Sequence, residues 1–122
     1  MELTQLVAAA ADLCRKPLRH GVVLSSEPGE PDCCLRLEAR SPDGERLAAE
    51  DLELEIFRSG SGDNRNLHLI LAWLLDDTRP MLWQGNHGVW MDAAGNRCER
   101  PADGVPLEAL ARRLRALLVD LG

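Results

Sequence analysis

Near the C-terminus, Leu107, Leu110, Ala111, Leu114, Leu117, Leu118 and Leu121 recur at the three- and four-residue spacing of one helix face. Arg112, Arg113 and Arg115 flank this stripe. A helix over Leu107–Leu121 therefore has one apolar side. Burying its leucines at roughly 1.5–3 kcal/mol each is a gross gain of about 10–15 kcal/mol. That gain forces the helix to dock, on a sheet of its own chain or on a partner. Pro106 suits the first helical position, Glu108 suits the first turn, and Gly122 ends the chain.

The middle of the chain supplies a sheet. Cys33–Arg40 (CCLRLEAR) places Leu35, Leu37 and Ala39 on one face and Arg36, Glu38 and Arg40 on the other. Leu52–Arg58 (LELEIFR) sets Leu52, Leu54 and Ile56 against Glu53 and Glu55. Such alternation marks antiparallel strands with one solvated face. If the two strands are neighbours, Arg36 and Glu38 can pair across to Glu53 and Glu55. Between them, Ser41–Gly44 (SPDG) is a turn with Pro42 preset. Arg19–Ser25 reads as a further short strand, followed by a loop over Ser26–Asp32 with Pro28, Gly29 and Pro31 as breakers.

Asn66–Leu75 (NLHLILAWLL) follows a polar loop over Ser59–Arg65 and is apolar at both parities. It predicts a strand central in the sheet or covered on both sides; its single β-branched residue, Ile70, leaves a helix as the alternative. Met81–Gln84 and Val89–Asp92 predict a hairpin around Gly85–Gly88, with a short return strand near Arg97–Arg100. At the other end, Leu3–Arg15 predicts a helix capped by Thr4. Its stripe is Leu3, Leu6, Val7, Ala10, Leu13 and Cys14, its last turn carries Arg15 and Lys16, and Pro17 stops it. The expected architecture is α+β, in one domain over residues 1–122: an antiparallel meander of about five to six strands flanked by an N-terminal helix and a C-terminal amphipathic helix.

Charge narrows the function classes. The net charge is −6, which argues against general affinity for nucleic acid. No apolar run approaches the ~20 residues of a membrane span. Met1 leads straight into a mixed segment with Glu2 and Asp12, as expected of a cytoplasmic chain without a signal peptide. Cys14, Cys33, Cys34 and Cys98 show neither CxxC spacing nor paired histidines, so no metal and no cofactor are expected.

Arg79–Pro101 is the most unusual stretch. It holds Trp83, Trp90, Met81, Met91 and His87, and aromatic anchors on a hairpin suit a binding surface. The alternative is that at least one of the two tryptophans fills the space between sheet and helix. Cys98, His87 and Asp92 have the residue types of a thiol nucleophile, a base and an orienter, though no local signature accompanies them; His87 in GNHG also suits a turn. Arg15, Lys16, Arg19 and His20 form the best local basic patch and could receive an anion, against solvated charge at a helix end. His68, alternating with leucines, is expected to be a partly buried, satisfied side chain. The acidic stretch Asp43–Glu55 lacks calcium-loop spacing and predicts a solvated face.

Residues Arg79–Pro101, together with EALARRLRALL at Glu108–Leu118, resemble a short protein type of cyanobacteria for which no activity is implied. In architecture alone, type III secretion chaperones are similar, but this chain lacks their middle helix unless Leu67–Leu75 forms it. Whirly-type single-strand DNA-binding folds are similar too, against the acidic charge here. These features together predict a non-enzymatic interaction module, an assembly factor, specific chaperone or regulator acting on an unknown protein partner. The alternatives are a small enzyme or ligand binder using Cys98, His87 and Asp92, and a single-stranded nucleic-acid binder. Open sheet edges also leave a homodimer available.

Overall fold

A computed structural model of the protein describes residues 2–25, 33–59 and 66–119. The expected loop at Ser26–Asp32, all of the expected loop Ser59–Arg65 but its first residue, and the end of the last helix at Leu121 lie outside these residues. Helix α1 (Leu3–Cys14) leads into strands β1 (Arg19–Leu24), β2 (Cys33–Arg40), β3 (Leu52–Ser59), β4 (Asn66–Trp73), β5 (Met81–Gln84) and β6 (Gly88–Met91), and helix α2 (Val105–Val119) closes the fold. The strands form one six-stranded sheet in chain order, β1-β2-β3-β4-β5-β6, with every neighbouring pair antiparallel. The chain is the expected α+β meander.

Parity assigns the faces. Leu35 and Leu37 of β2, Leu52, Leu54 and Ile56 of β3, Leu67, Leu69, Leu71 and Trp73 of β4, Leu82 of β5 and Trp90 of β6 all turn to the inner face. Both helices pack there. Val7, Ala10 and Ala11 of α1 and Leu107, Leu110, Ala111, Leu114 and Leu118 of α2 complete one core. The leucine stripe of the last helix therefore docks on its own sheet. Cys33 faces this core and Cys34 the opposite side, as alternation requires.

Several local expectations shift. α1 is preceded by Glu2 as N-cap, not Thr4, and the Glu2 N–H donates to Gln5 Oε1 at 3.3 Å. Leu13 drops off the apolar stripe and is 48 % exposed. Arg15 falls one residue past α1, so it serves as a cap position rather than a last-turn cation. α2 begins at Val105, two residues before Leu107, which leaves Pro106 in the first turn, where no N–H is missed. Asn66–Trp73 is a strand, and the helix alternative for that run is excluded. β6 starts and ends one residue earlier than expected, and the return segment makes a single bridge, Met91 to Arg97. A short 3-10 turn at Ala48–Glu50, with no sequence signal, carries the chain into β3.

Asp51 explains how that turn is held. Its carboxylate accepts the Ala39 N–H at 2.8 Å and a two-pronged contact from Arg46 at 2.9 and 2.7 Å. Asp51 is buried, contrary to the solvated face expected of Asp43–Glu55. Burial opposes its ionisation, but the bonds from Arg46 and Ala39 outweigh it and hold the carboxyl below its usual range.

Candidate functional site

Both described helices pack on the inner face, yet much of the outer face is apolar. Ile70 of β4 stands opposite Trp83 of β5, which stands opposite Val89 of β6. Met81 stands opposite Met91 beside them, and Phe57 stands opposite His68 toward the other end. A face left to water is ordinarily polar in an antiparallel sheet. Here Trp83 is 41 % exposed, and its neighbours Ile70, Val89, Met81 and Met91 are half-buried.

The two tryptophans of the hairpin thus separate. Trp90 is buried, stacks on Trp73 at 6.4 Å between ring centroids, and donates from Nε1 to Glu108 Oε2 at 2.7 Å. Arg79 lies over the Trp73 ring, 3.5 Å from its centroid, and is paired with Asp103. Trp90 is core and Trp83 is surface, because adjacent strands place the residues of Leu82–Trp90 inward and Trp83–Val89 outward. Sequence inspection found Trp83, Met81 and Met91 but missed Ile70 and Val89. The signal for Ile70 was present as the second apolar parity of Asn66–Leu75, which only the strand assignment turns into a surface.

His68 borders this strip and meets the Trp83 ring edge-on at 6.5 Å. Its Nδ1 is buried and has no hydrogen-bond partner among the described residues, where a satisfied side chain is expected. His87 is exposed in the β5–β6 turn.

Cys98, His87 and Asp92 are not assembled into a triad. His87 precedes β6 and Asp92 follows it, and the four residues of that strand span on the order of 10 Å. Asp92 Oδ1 is occupied by the Ala94 and Asn96 N–H groups at 3.0 and 2.9 Å, which makes it the anchor of a turn. Cys98 packs half-buried against the core.

The basic patch also resolves differently from a solvated helix end. Arg15 and His20 are buried, whereas Lys16 and Arg19 are exposed. Arg15 donates to Glu50 Oε2 at 2.9 Å and to the Glu50 carbonyl at 3.0 Å; Arg19 is paired with Asp12 at 3.3 Å. The patch therefore spends most of its charge internally. A cleft of about 410 Å³ lies beside it, walled by Arg15, Lys16, Leu47, Glu50, Trp73 and Leu107 among others. Of the arginines on α2, Arg115 is engaged too, donating to the Leu67 carbonyl at 3.1 Å and to Asn86 Oδ1 at 2.9 Å.

On β2 and β3, Phe57 apart, the outer face is polar. The expected pairing of Arg36 and Glu38 across to β3 does not form as drawn: Arg36 stands opposite Glu53 but pairs along its own strand with Glu38 at 3.4 Å. Cys34 stands opposite Glu55, and its thiol donates to Glu53 Oε1 at 3.5 Å. Burial, ahead of the neighbouring Glu53, raises the Cys34 thiol above its usual range although Ser25 opposes this. Burial and then the adjacent Glu53 raise the Glu55 carboxyl.

Residues 4–117 match the family model described as a domain of unknown function, DUF8659. The chain belongs to this family. No curated protein and no solved structure matches it. The match spans α1 through nearly all of α2, so the docked helices and the bare outer sheet face both fall within this DUF8659 domain. No helix among the described residues is long and apolar enough to cross a membrane.

Proposed function

We propose that this DUF8659 chain is a protein-interaction module, an assembly factor, specific chaperone or regulator, whose working surface is the outer face of β4–β6. One observation carries this: no described helix covers the row Ile70–Trp83–Val89 and the neighbouring pair Met81–Met91, because both helices occupy the other face. Exposed contiguous apolar side chains around an aromatic anchor are the usual centre of a protein interface. The partner is a protein with its own apolar patch, and the net charge of −6 favours one of opposite sign during encounter. The four cysteines are thiols rather than disulfides, which supports placing the module in the cytoplasm.

The test is affinity capture from native lysate with the wild-type chain, Trp83→Asp and the remote surface variant Glu45→Lys, with light scattering on each. A stoichiometric partner retained by wild type and Glu45→Lys but lost with Trp83→Asp supports the proposal. A partner captured equally by Trp83→Asp overturns this surface. A monomer that retains nothing counts against the module itself. A dimer that Trp83→Asp dissociates makes the partner a second copy.

A further inference from the structure

The outer face holds a second feature that the apolar strip does not use. Cys34 Sγ and one carboxylate oxygen each from Glu53 and Glu55 lie within 4.8 Å of one another. The backbone brings them together. Cys34 and Glu55 are direct partners in the β2–β3 ladder, and Glu53 lies on the same side two residues before Glu55 in β3. All three side chains are half-buried, so the donors meet in the pleat of the sheet rather than at the tips of solvated chains. No ion pair joins Glu53 or Glu55 to a basic side chain among the described residues, and the nearest candidate by register, Arg36, turns to Glu38 instead.

We propose that Cys34, Glu53 and Glu55 form a binding site for a borderline divalent cation of the zinc class. Sulfur donors about 2.3 Å and oxygen donors about 2.0–2.2 Å from a tetrahedral ion stand roughly 3.4–3.6 Å apart, so small side-chain rotations close the observed cluster onto one ion. The donor mix decides the class. A thiolate is a poor ligand for magnesium or calcium, which take oxygen donors, whereas one sulfur with two carboxylates suits zinc and cobalt. Loading breaks the Cys34 S–H bond, gives the proton to solvent and forms the metal–sulfur bond; nothing is oxidised or reduced. Three protein donors leave a fourth position for water or for a side chain of another protein. The cysteine spacing along the chain conceals the set, because two of its donors come from a different strand and are not cysteines.

Titration of the full chain with Co²⁺ tests this, since thiolate ligation produces a charge-transfer band that carboxylates alone do not. One equivalent of Co²⁺ is expected to develop the band, and Zn²⁺ to displace it. Cys34→Ser is expected to abolish the band. The double variant Glu53→Gln/Glu55→Gln is expected to weaken Zn²⁺ binding by more than about tenfold, the least that loss of supporting ligands costs at metal sites. Cys33→Ser, on the opposite face, is expected to leave both unchanged. Far-ultraviolet circular dichroism confirms that each variant is folded. Zn²⁺ protection of Cys34 from alkylation, mapped by mass spectrometry on the wild-type chain, supplies a readout that needs no variant. The proposal is overturned if the band persists in Cys34→Ser, if folded wild type gives no band, or if Zn²⁺ leaves Cys34 alkylation unslowed. Because Trp83 lies outside the set, failure here leaves the protein-interaction surface standing, and the reverse also holds.

Discussion

The Arg15 guanidinium donates to His20 Nε2 at 3.0 Å, and His20 Nδ1 lies 3.0 Å from Asp12 Oδ1. A guanidinium has no acceptor, so Nε2 carries the lone pair and the ring is the neutral tautomer with its proton on Nδ1, donated to Asp12. Burial first, and Arg15 second, lower the His20 pKa from 6.5 against the opposing pull of Asp12 and Asp51. Between the folded and unfolded values the unfolded chain binds more protons, so stability there rises with pH. The contribution of His20 is present above pH 6.5 and is lost as pH falls through the lowered folded value. Urea unfolding across that window should show midpoints that fall as pH is lowered, and His20→Gln should flatten the dependence. An unchanged slope in the variant would remove His20 as its source.

Glu108 joins the hairpin to α2 by accepting from Trp90 Nε1 at 2.7 Å and from Arg100 at 3.1 Å. Glu108→Ala leaves a buried indole N–H without an acceptor and should cost about 1–3 kcal/mol in urea unfolding. Glu108→Gln keeps an acceptor and should cost less. The Trp90 bond also holds the Glu108 carboxyl below 4.5, so its contribution is present above that pH and is lost as pH falls through the lowered folded value.

Gly104 is required by contact. A Cβ there would stand 2.6 Å from Arg100 Cγ, 2.8 Å from Trp90 Cζ2 and 3.1 Å from the Pro101 carbonyl. Gly104→Ala should destabilise by about 1–3 kcal/mol through overpacking at the start of α2. Gly21→Ala, where a Cβ meets nothing within 4 Å, should stay within roughly 0.5 kcal/mol of wild type. Equal effects at the two sites would refute the close approach.

Asp51 should be the acidic residue of Asp43–Glu55 whose loss is most costly. Asp51→Asn weakens the Arg46 contact and the Ala39 bond together, and should cost about 1.5–3 kcal/mol. Asp43→Asn, on an exposed turn, should be near neutral. Denaturant titrations of the pair decide it.

Leu82 and Trp83 are adjacent, and truncating each reads out the two faces of the sheet. Leu82 is fully buried, and Leu82→Ala should cost about 2–5 kcal/mol. Trp83 is exposed on the outer face between its cross-strand partners Ile70 and Val89, and Trp83→Ala should cost about 1 kcal/mol or less. A larger loss at Trp83 than at Leu82 would reverse the face assignment.

Most of the order of elements is legible because α2, β2 and β3 carry local periods. The leucine stripe of α2 and the alternation of Cys33–Arg40 and Leu52–Arg58 depend only on near neighbours along the chain. Asn66–Trp73 was ambiguous for the same reason: an apolar run has no period, and only its place fourth in a six-stranded sheet makes it a strand. Helix α1 was found, but its cap was misassigned to Thr4, since Glu2 and Gln5 meet only in the turn the helix itself creates.

By itself the sequence determined the meander, the need for the last helix to bury its leucine stripe and the absence of a long apolar span. Tertiary structure alone decided which tryptophan is surface, that Arg15 and His20 are buried partners rather than solvated charge, and that Cys34 meets Glu53 and Glu55. Each of these depends on strand register or on packing between residues distant in the chain. Such contacts are fixed by the balance of burial over the whole core, which no local pattern encodes.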